Sequence, residues 1–164
     1  SEPGKGTTFK VYLSRVEDRP EALKPKAAAP TSLEGHETIL VVEDDAALRE
    51  LISTALRKYG FKVLEAPHGG EALLICEREK ATIHLMLTDV VMPQISGTAL
   101  AARLKLLHPE MKVLYMSGYT ENAIVHHGVL DSKVNFIPKP FRVLGLVQKV
   151  REVLDSPEEE EGRH

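Results

Sequence analysis

The chain has 164 residues, 43% of them hydrophobic and 27% charged, with a net charge of −3. That length allows one core-bearing domain with tails, and the composition excludes disorder of the whole. No apolar run nears the ~20 residues of a membrane span, the polar start Ser1–Gly6 shows no signal-peptide pattern, and the negative balance argues against nucleic acid as a partner.

Residues 1 to 14 contain a short alternation, with Phe9, Val11 and Leu13 on one side and Thr8, Lys10 and Tyr12 on the other, which is strand periodicity. Residues 15 to 37, with Pro20, Pro25 and Pro30, read as an extended linker. Residues 38 to 155 carry the foldable pattern, and 156 to 164 form an acidic tail with Glu158 to Glu161 in a row.

Within 38 to 155, strand and helix signals alternate. A first strand is expected over 38 to 42. A helix follows with Leu48, Leu51, Ile52, Ala55, Leu56 and Tyr59 on one face, stopped by Gly60. A second strand spans 62 to 66 and a second helix 70 to 78, with the lone Cys76 as a small core residue. A third strand spans 83 to 88, and a third helix runs from Gly97 to just before Pro109. A fourth strand lies at 112 to 116, a short helix near 120 to 127, and a fifth strand at 134 to 137. The final helix sets Val143, Val147, Val150 and Leu154 on one face.

These repeats predict an α/β fold, a doubly wound five-stranded parallel sheet with helices on both faces. The first, third and fourth strands are almost wholly apolar, as central strands are. The second carries Lys62 and Glu65 and the fifth carries Lys133 and Asn135, so these two are edges. The order is then 2-1-3-4-5, the flavodoxin-like arrangement. Ligands in such sheets bind beyond the carboxyl ends of the strands, at the switch point between strands 1 and 3. Glu43, Asp44, Asp89, Ser117 and Lys139 all fall at those ends.

Acids at that point suit a hard cation such as Mg²⁺, which takes one or two carboxylates and shares phosphate oxygens. A carboxylate is also a nucleophile toward phosphorus, and a lysine and a hydroxyl can neutralise phosphoryl oxygens. Singly, each residue has a plainer reading. Asp44 or Asp45 could cap a helix, Asp89 and Ser117-Gly118 could be turns, and Lys139 could be a solvated lysine. Their convergence at four strand ends favours a site.

The runs Ile39-Leu40-Val41-Val42-Glu43-Asp44-Asp45, Leu87-Thr88-Asp89-Val90-Val91-Met92-Pro93, Met116-Ser117-Gly118-Tyr119 and Lys139-Pro140-Phe141 resemble a two-component response-regulator receiver domain over residues 38 to 155. The resemblance implies a receiver fold and an Asp89 phosphoacceptor. Glu43 and Asp44, with Asp89, would be the Mg²⁺ ligands. Ser117 would be the switch hydroxyl, Lys139 the phosphate-pairing lysine, and Lys139–Pro140 a cis peptide. The switch aromatic falls on Phe136, where tyrosine is common, so its hydroxyl is missing. The implied function is Mg²⁺-dependent phosphoryl transfer from phosphohistidine to Asp89, followed by slow autodephosphorylation. The implied partner is a histidine kinase or histidine phosphotransfer domain, in the same chain or separate, with a second copy of the chain as a further candidate. The competing reading is a phosphate-independent interaction module on the same fold. A metal-dependent phosphatase is disfavoured because Val91, and no acid, stands two residues after Asp89.

Gly4-Lys5-Gly6-Thr7-Thr8-Phe9-Lys10-Val11-Tyr12-Leu13 resembles the last strand of a histidine-kinase ATP-binding domain. That implies the C-terminal receiver of a hybrid sensor histidine kinase. No kinase activity is expected from these residues alone. A cytoplasmic setting without direct membrane contact is expected for them, with the parent chain a candidate for membrane anchoring.

Overall fold

The structure is a computed structural model, and it describes residues 32–79, 82–118 and 134–157. The elements are β1 (Thr38–Val42), α1 (Ala46–Lys58), β2 (Lys62–Ala66), α2 (Gly69–Arg78), β3 (Leu85–Asp89), α3 (Gly97–Leu107), β4 (Lys112–Ser117), β5 (Phe136–Pro138) and α4 (Val143–Asp155). The helix expected near 120 to 127 lies outside the described residues.

All strand pairs are parallel, in the order β2-β1-β3-β4-β5, as the edge-and-centre pattern predicts. Every residue of β1 is buried, whereas only Ala66 of β2 and only Ile137 of β5 are. Alternate residues of the central strands feed two cores. Ile39, Val41, Leu85, Leu87, Leu114 and Met116 pack under α1 and α4. Leu40, Val42, Met86, Val113 and Tyr115 pack under α2 and α3. Removing a fully buried leucine from such a core, Leu104→Ala for instance, costs ~2–5 kcal/mol.

Local chemistry sets the element ends. Asp45, and not Asp44, caps α1 by accepting from Leu48 N at 2.9 Å. Gly60 ends the helix with φ +91°, and a Cβ there would meet Gly35 O at 2.5 Å. β3 starts at Leu85, two residues later than expected. The preceding His84 puts its side chain into the ladder, its Nδ1 accepting from Thr38 N at 3.0 Å. Two helix faces also differ from expectation. Leu51 is 52% exposed at the rim of α1, while α4 buries Leu146, Val147, Val150 and Val153, leaving Val143 37% exposed. An α-helix advances 100° per residue, so a pattern chosen one position off still looks amphipathic.

The packed chain starts before Thr38. Within the stretch that composition marks as linker, Gly35 N donates to Tyr59 O at 2.9 Å, Leu33 joins the core under α1 and α4, and Glu37 pairs with Arg151 at 2.7 Å.

Candidate functional site

Parallel pairing brings the carboxyl ends of β1, β3, β4 and β5 to one pole of the sheet. Glu43 follows β1, and its N–H still donates to Ala66 O at 3.2 Å. Asp89 closes β3. Its main-chain oxygen accepts from the Thr88 hydroxyl at 3.1 Å, and its Oδ1 accepts from Val91 N at 3.3 Å. Gly97 begins α3 directly beneath, where a Cβ would lie 2.1 Å from Asp89 O, so the loop after β3 can close only over glycine. Ser117 ends β4 with 1% exposure. Its carbonyl accepts from Lys139 N at 2.7 Å, which draws the lysine inward from β5. The Lys139–Pro140 peptide is cis.

Lys139 Nζ donates to Glu43 Oε2 and to Asp89 Oδ2, each at 2.8 Å. Glu43 is nearly sealed from solvent, while Asp89 and Lys139 keep about a fifth of their side chains exposed. Burial pushes the Glu43 carboxyl up, against the opposing pull of the Lys139 ammonium. Burial works to lower the Lys139 pKa, but its hydrogen bonds to Asp89 and Glu43 and their charges outweigh it, and the net direction is up. The ammonium is thus held charged between two carboxylates.

Three of the expected site residues, Glu43, Asp89 and Lys139, are in direct contact. Asp44 stands exposed at the rim, next in the chain to Glu43. Among the described residues no three His, Cys, Asp or Glu side chains lie close enough together to enclose a metal ion. The donors present are nonetheless hard carboxylate oxygens, and the pair is already spanned by a cation, the Lys139 ammonium. That chemistry fits Mg²⁺, which needs only one or two carboxylates. Phe136 is half-buried, opposite Tyr115 in the register and packed on the core under α2 and α3. Burial raises the Tyr115 hydroxyl pKa to about 12 and the Cys76 thiol to about 11, so neither is ionised near neutral pH.

Two contributors escape motif reading. The buried Thr88 hydroxyl steadies the Asp89 carbonyl, but a threonine in a strand gives no outward signal. Arg49 of α1 donates from Nη1 to Glu43 O at 2.6 Å. Beside Lys139, an apolar recess of about 370 Å³ opens between α1 and α4, lined by Leu48, Leu51, Ile52, Phe141, Val143 and Leu146 among others. Among the described residues no helix is long and apolar enough to cross a membrane.

A doubly wound sheet with a lysine-bridged acid pair at its switch point defines an α/β domain with a carboxylate site at the ends of its strands. This chain belongs to the response regulator receiver domain family, whose family model matches residues 39–151. It is 40% identical over 163 residues to the sensor kinase CckA of Brucella abortus (strain 2308), covering 95% of this chain and 17% of that protein. It is 30% identical to the response regulator receiver protein CpdR of the same organism, covering 71% of this chain and 95% of CpdR. The crystal structure of the receiver domain from the hybrid histidine kinase CckA aligns with TM-score 0.61 and 36% identity, over 72% of this chain and 99% of that one. A response regulator from Thermotoga maritima aligns with TM-score 0.63 and 30% identity, over 74% and 99%. The chain therefore spans about a sixth of the sensor kinase and nearly all of the single-domain receivers.

Proposed function

We propose that Asp89 accepts a phosphoryl group from a phosphohistidine and so switches a protein-interaction surface. The observation that carries this reading is the Lys139 ammonium lying 2.8 Å from Asp89 and 2.8 Å from Glu43 at the switch point of the sheet. An Asp89 oxygen attacks phosphorus, the new P–O bond forming as the P–N bond breaks, and the leaving imidazole takes a proton from solvent. Lys139 then pairs with a phosphoryl oxygen, and the Ser117 hydroxyl turns to donate to another. Glu43, Asp44 and Asp89 would hold Mg²⁺, which when bound would neutralise phosphoryl charge. Water later hydrolyses the acyl phosphate and restores the carboxylate. The inward turn of Ser117 leaves space that biases the Phe136 ring, which moves without a hydroxyl to anchor it.

Similarity to CckA over nearly the whole chain supports placing this domain at the C-terminal end of a hybrid histidine kinase, with residues 1 to 14 as the last strand of its ATP-binding domain and 15 to 31 as connector. The phosphodonor is then a histidine kinase or phosphotransfer domain, and the recess beside Lys139 offers it an apolar foothold. The setting is cytoplasmic. The test is intact mass after incubation with a small phosphodonor and Mg²⁺. An acid-labile gain of one phosphoryl group in the wild type, absent in Asp89→Asn, is expected. No gain in the wild type sinks the proposal and leaves the phosphate-independent interaction module.

A further inference from the structure

Arg49, in the first turn of α1, plays no part in the chemistry above, yet it is only 18% exposed and tied down at two points. Its Nη1 donates to the Glu43 main-chain oxygen at 2.6 Å. Its Nε lies 3.8 Å from Glu65 Oε2. Glu65, opposite Val41 on the neighbouring edge strand, is in turn gripped by Arg57 Nη2 at 2.7 Å. The guanidinium therefore spans from a fixed point on β2 to the turn that follows β1.

That turn carries Asp44, whose side chain makes no hydrogen bond among the described residues. The backbone on either side of it is held. After it, Asp45 N donates to Glu43 Oε1 at 3.3 Å, and Asp45 O accepts from Arg49 N at 2.9 Å. Before it, Glu43 N donates to Ala66 O at 3.2 Å. The Glu43 carbonyl, which precedes Asp44 directly, is held by the Arg49 side chain. A lysine is a single point charge and could reach the carbonyl or Glu65 but not fork between them.

We infer that Arg49 is a positioning residue for the cation site: by holding the Glu43 carbonyl it locks the Glu43–Asp44 peptide, the stretch of backbone from which both carboxylates would reach the ion. The inference rests on the proposed Mg²⁺ site. It also makes a prediction opposite to simple electrostatics. A positive charge near a dication site repels the dication, so a purely electrostatic Arg49 would weaken Mg²⁺ binding and its removal would tighten it. A positioning Arg49 strengthens binding, because without it the backbone of one residue must be ordered when the ion binds, a loss of about tenfold in affinity.

The experiment titrates Mg²⁺ alone into the wild type, Arg49→Met and Glu65→Gln, following backbone amide NMR shifts of residues 43 to 45 and 89. Thermal unfolding serves as the folding control. Arg49→Met keeps the aliphatic stem and is expected to raise the Mg²⁺ dissociation constant about tenfold. Glu65→Gln removes only the partly exposed anchor and is expected to raise it about twofold. The Mg²⁺ concentration for half-maximal phosphoryl uptake shifts by the same factors, with the plateau regained at high Mg²⁺. Affinity equal to or tighter than wild type in folded Arg49→Met overturns the inference. Should that variant not fold, unchanged affinity in Glu65→Gln overturns it. A wild type that binds no Mg²⁺ defeats the cation site itself and this inference with it. A binding wild type with unshifted variants defeats the inference alone.

Discussion

Replacing Lys139 by methionine keeps the aliphatic stem and deletes the ammonium that separates Glu43 from Asp89. The two carboxylate oxygens each lie 2.8 Å from Nζ, so they are at most about 5.6 Å apart. At an effective dielectric of about 20 their repulsion is ~3 kcal/mol. In the wild type Glu43 already sits above its ordinary pKa of 4.5 through burial, and the variant removes the lysine that opposes this. A carboxyl whose folded pKa is raised favours the folded state most where it is protonated, and stability falls as pH rises from the unfolded pKa through the folded one. Lys139 itself, raised above 10.5, titrates far from this window. Lys139→Met should therefore lose ~3 kcal/mol more than the wild type as pH rises from the ordinary Glu43 value through its raised folded one. Urea unfolding followed by far-UV circular dichroism, suited to a chain without tryptophan, measures this directly. Parallel pH profiles for the two proteins would refute the reasoning, because they would mean that the acids are not coupled.

Burial would raise Glu37, but the Arg151 guanidinium and local backbone N–H groups outweigh it and hold the carboxyl at about 2. That depressed pKa stabilises the fold above the unfolded value of 4.5 and is lost as pH falls through about 2. Glu37→Gln is accordingly expected to cost ~2–3 kcal/mol at pH 7 and almost nothing at pH 2, measured by denaturation at both. A constant difference across that range would discount the ion pair. Gly97→Ala forces a methyl to 2.1 Å from Asp89 O, so it is expected to destabilise by ~3 kcal/mol and to move the Asp89–Val91 amide resonances. Wild-type stability with unmoved resonances would contradict that packing. Ser117→Ala is expected to slow phosphoryl uptake about tenfold, read from the time course of intact mass, and an unaltered rate would remove Ser117 from the proposed chemistry.

Much of the sheet could be read in the sequence because each central strand shows its burial on both faces. Ile39–Val42 and Leu85–Leu87 leave no polar side to face water, whereas Lys62 and Glu65 mark an edge. The acidic pair and Lys139 were legible for the same reason, since strand ends in a parallel sheet share one pole. Details set by side chains reaching across elements were not legible. The His84 ring accepts a backbone N–H of β1 just before β3 begins, and no local pattern reveals that bond. The exposure of Leu51 follows from how α1 seats against α4, which helical periodicity alone leaves open by one position. Residues 32 to 37 look like linker by composition, yet Leu33, Gly35 and Glu37 engage the core, Tyr59 and Arg151. Arg49 resembles any solvated helix arginine until the turn that it clasps is seen.

Arg151 also joins Asp155 at 2.7 Å, and Lys112, at the start of β4, donates from Nζ to Leu154 O at 2.9 Å. The strand that leads into the domain and the helix that leads out of it are thus fastened to each other at the pole farthest from Asp89. Glu37 before β1 and the last turn of α4 thus share one set of ion pairs and hydrogen bonds at that pole. A domain wired in this way can be grafted, tethered to a surface or given a bulky label at either lead without crowding the carboxylate.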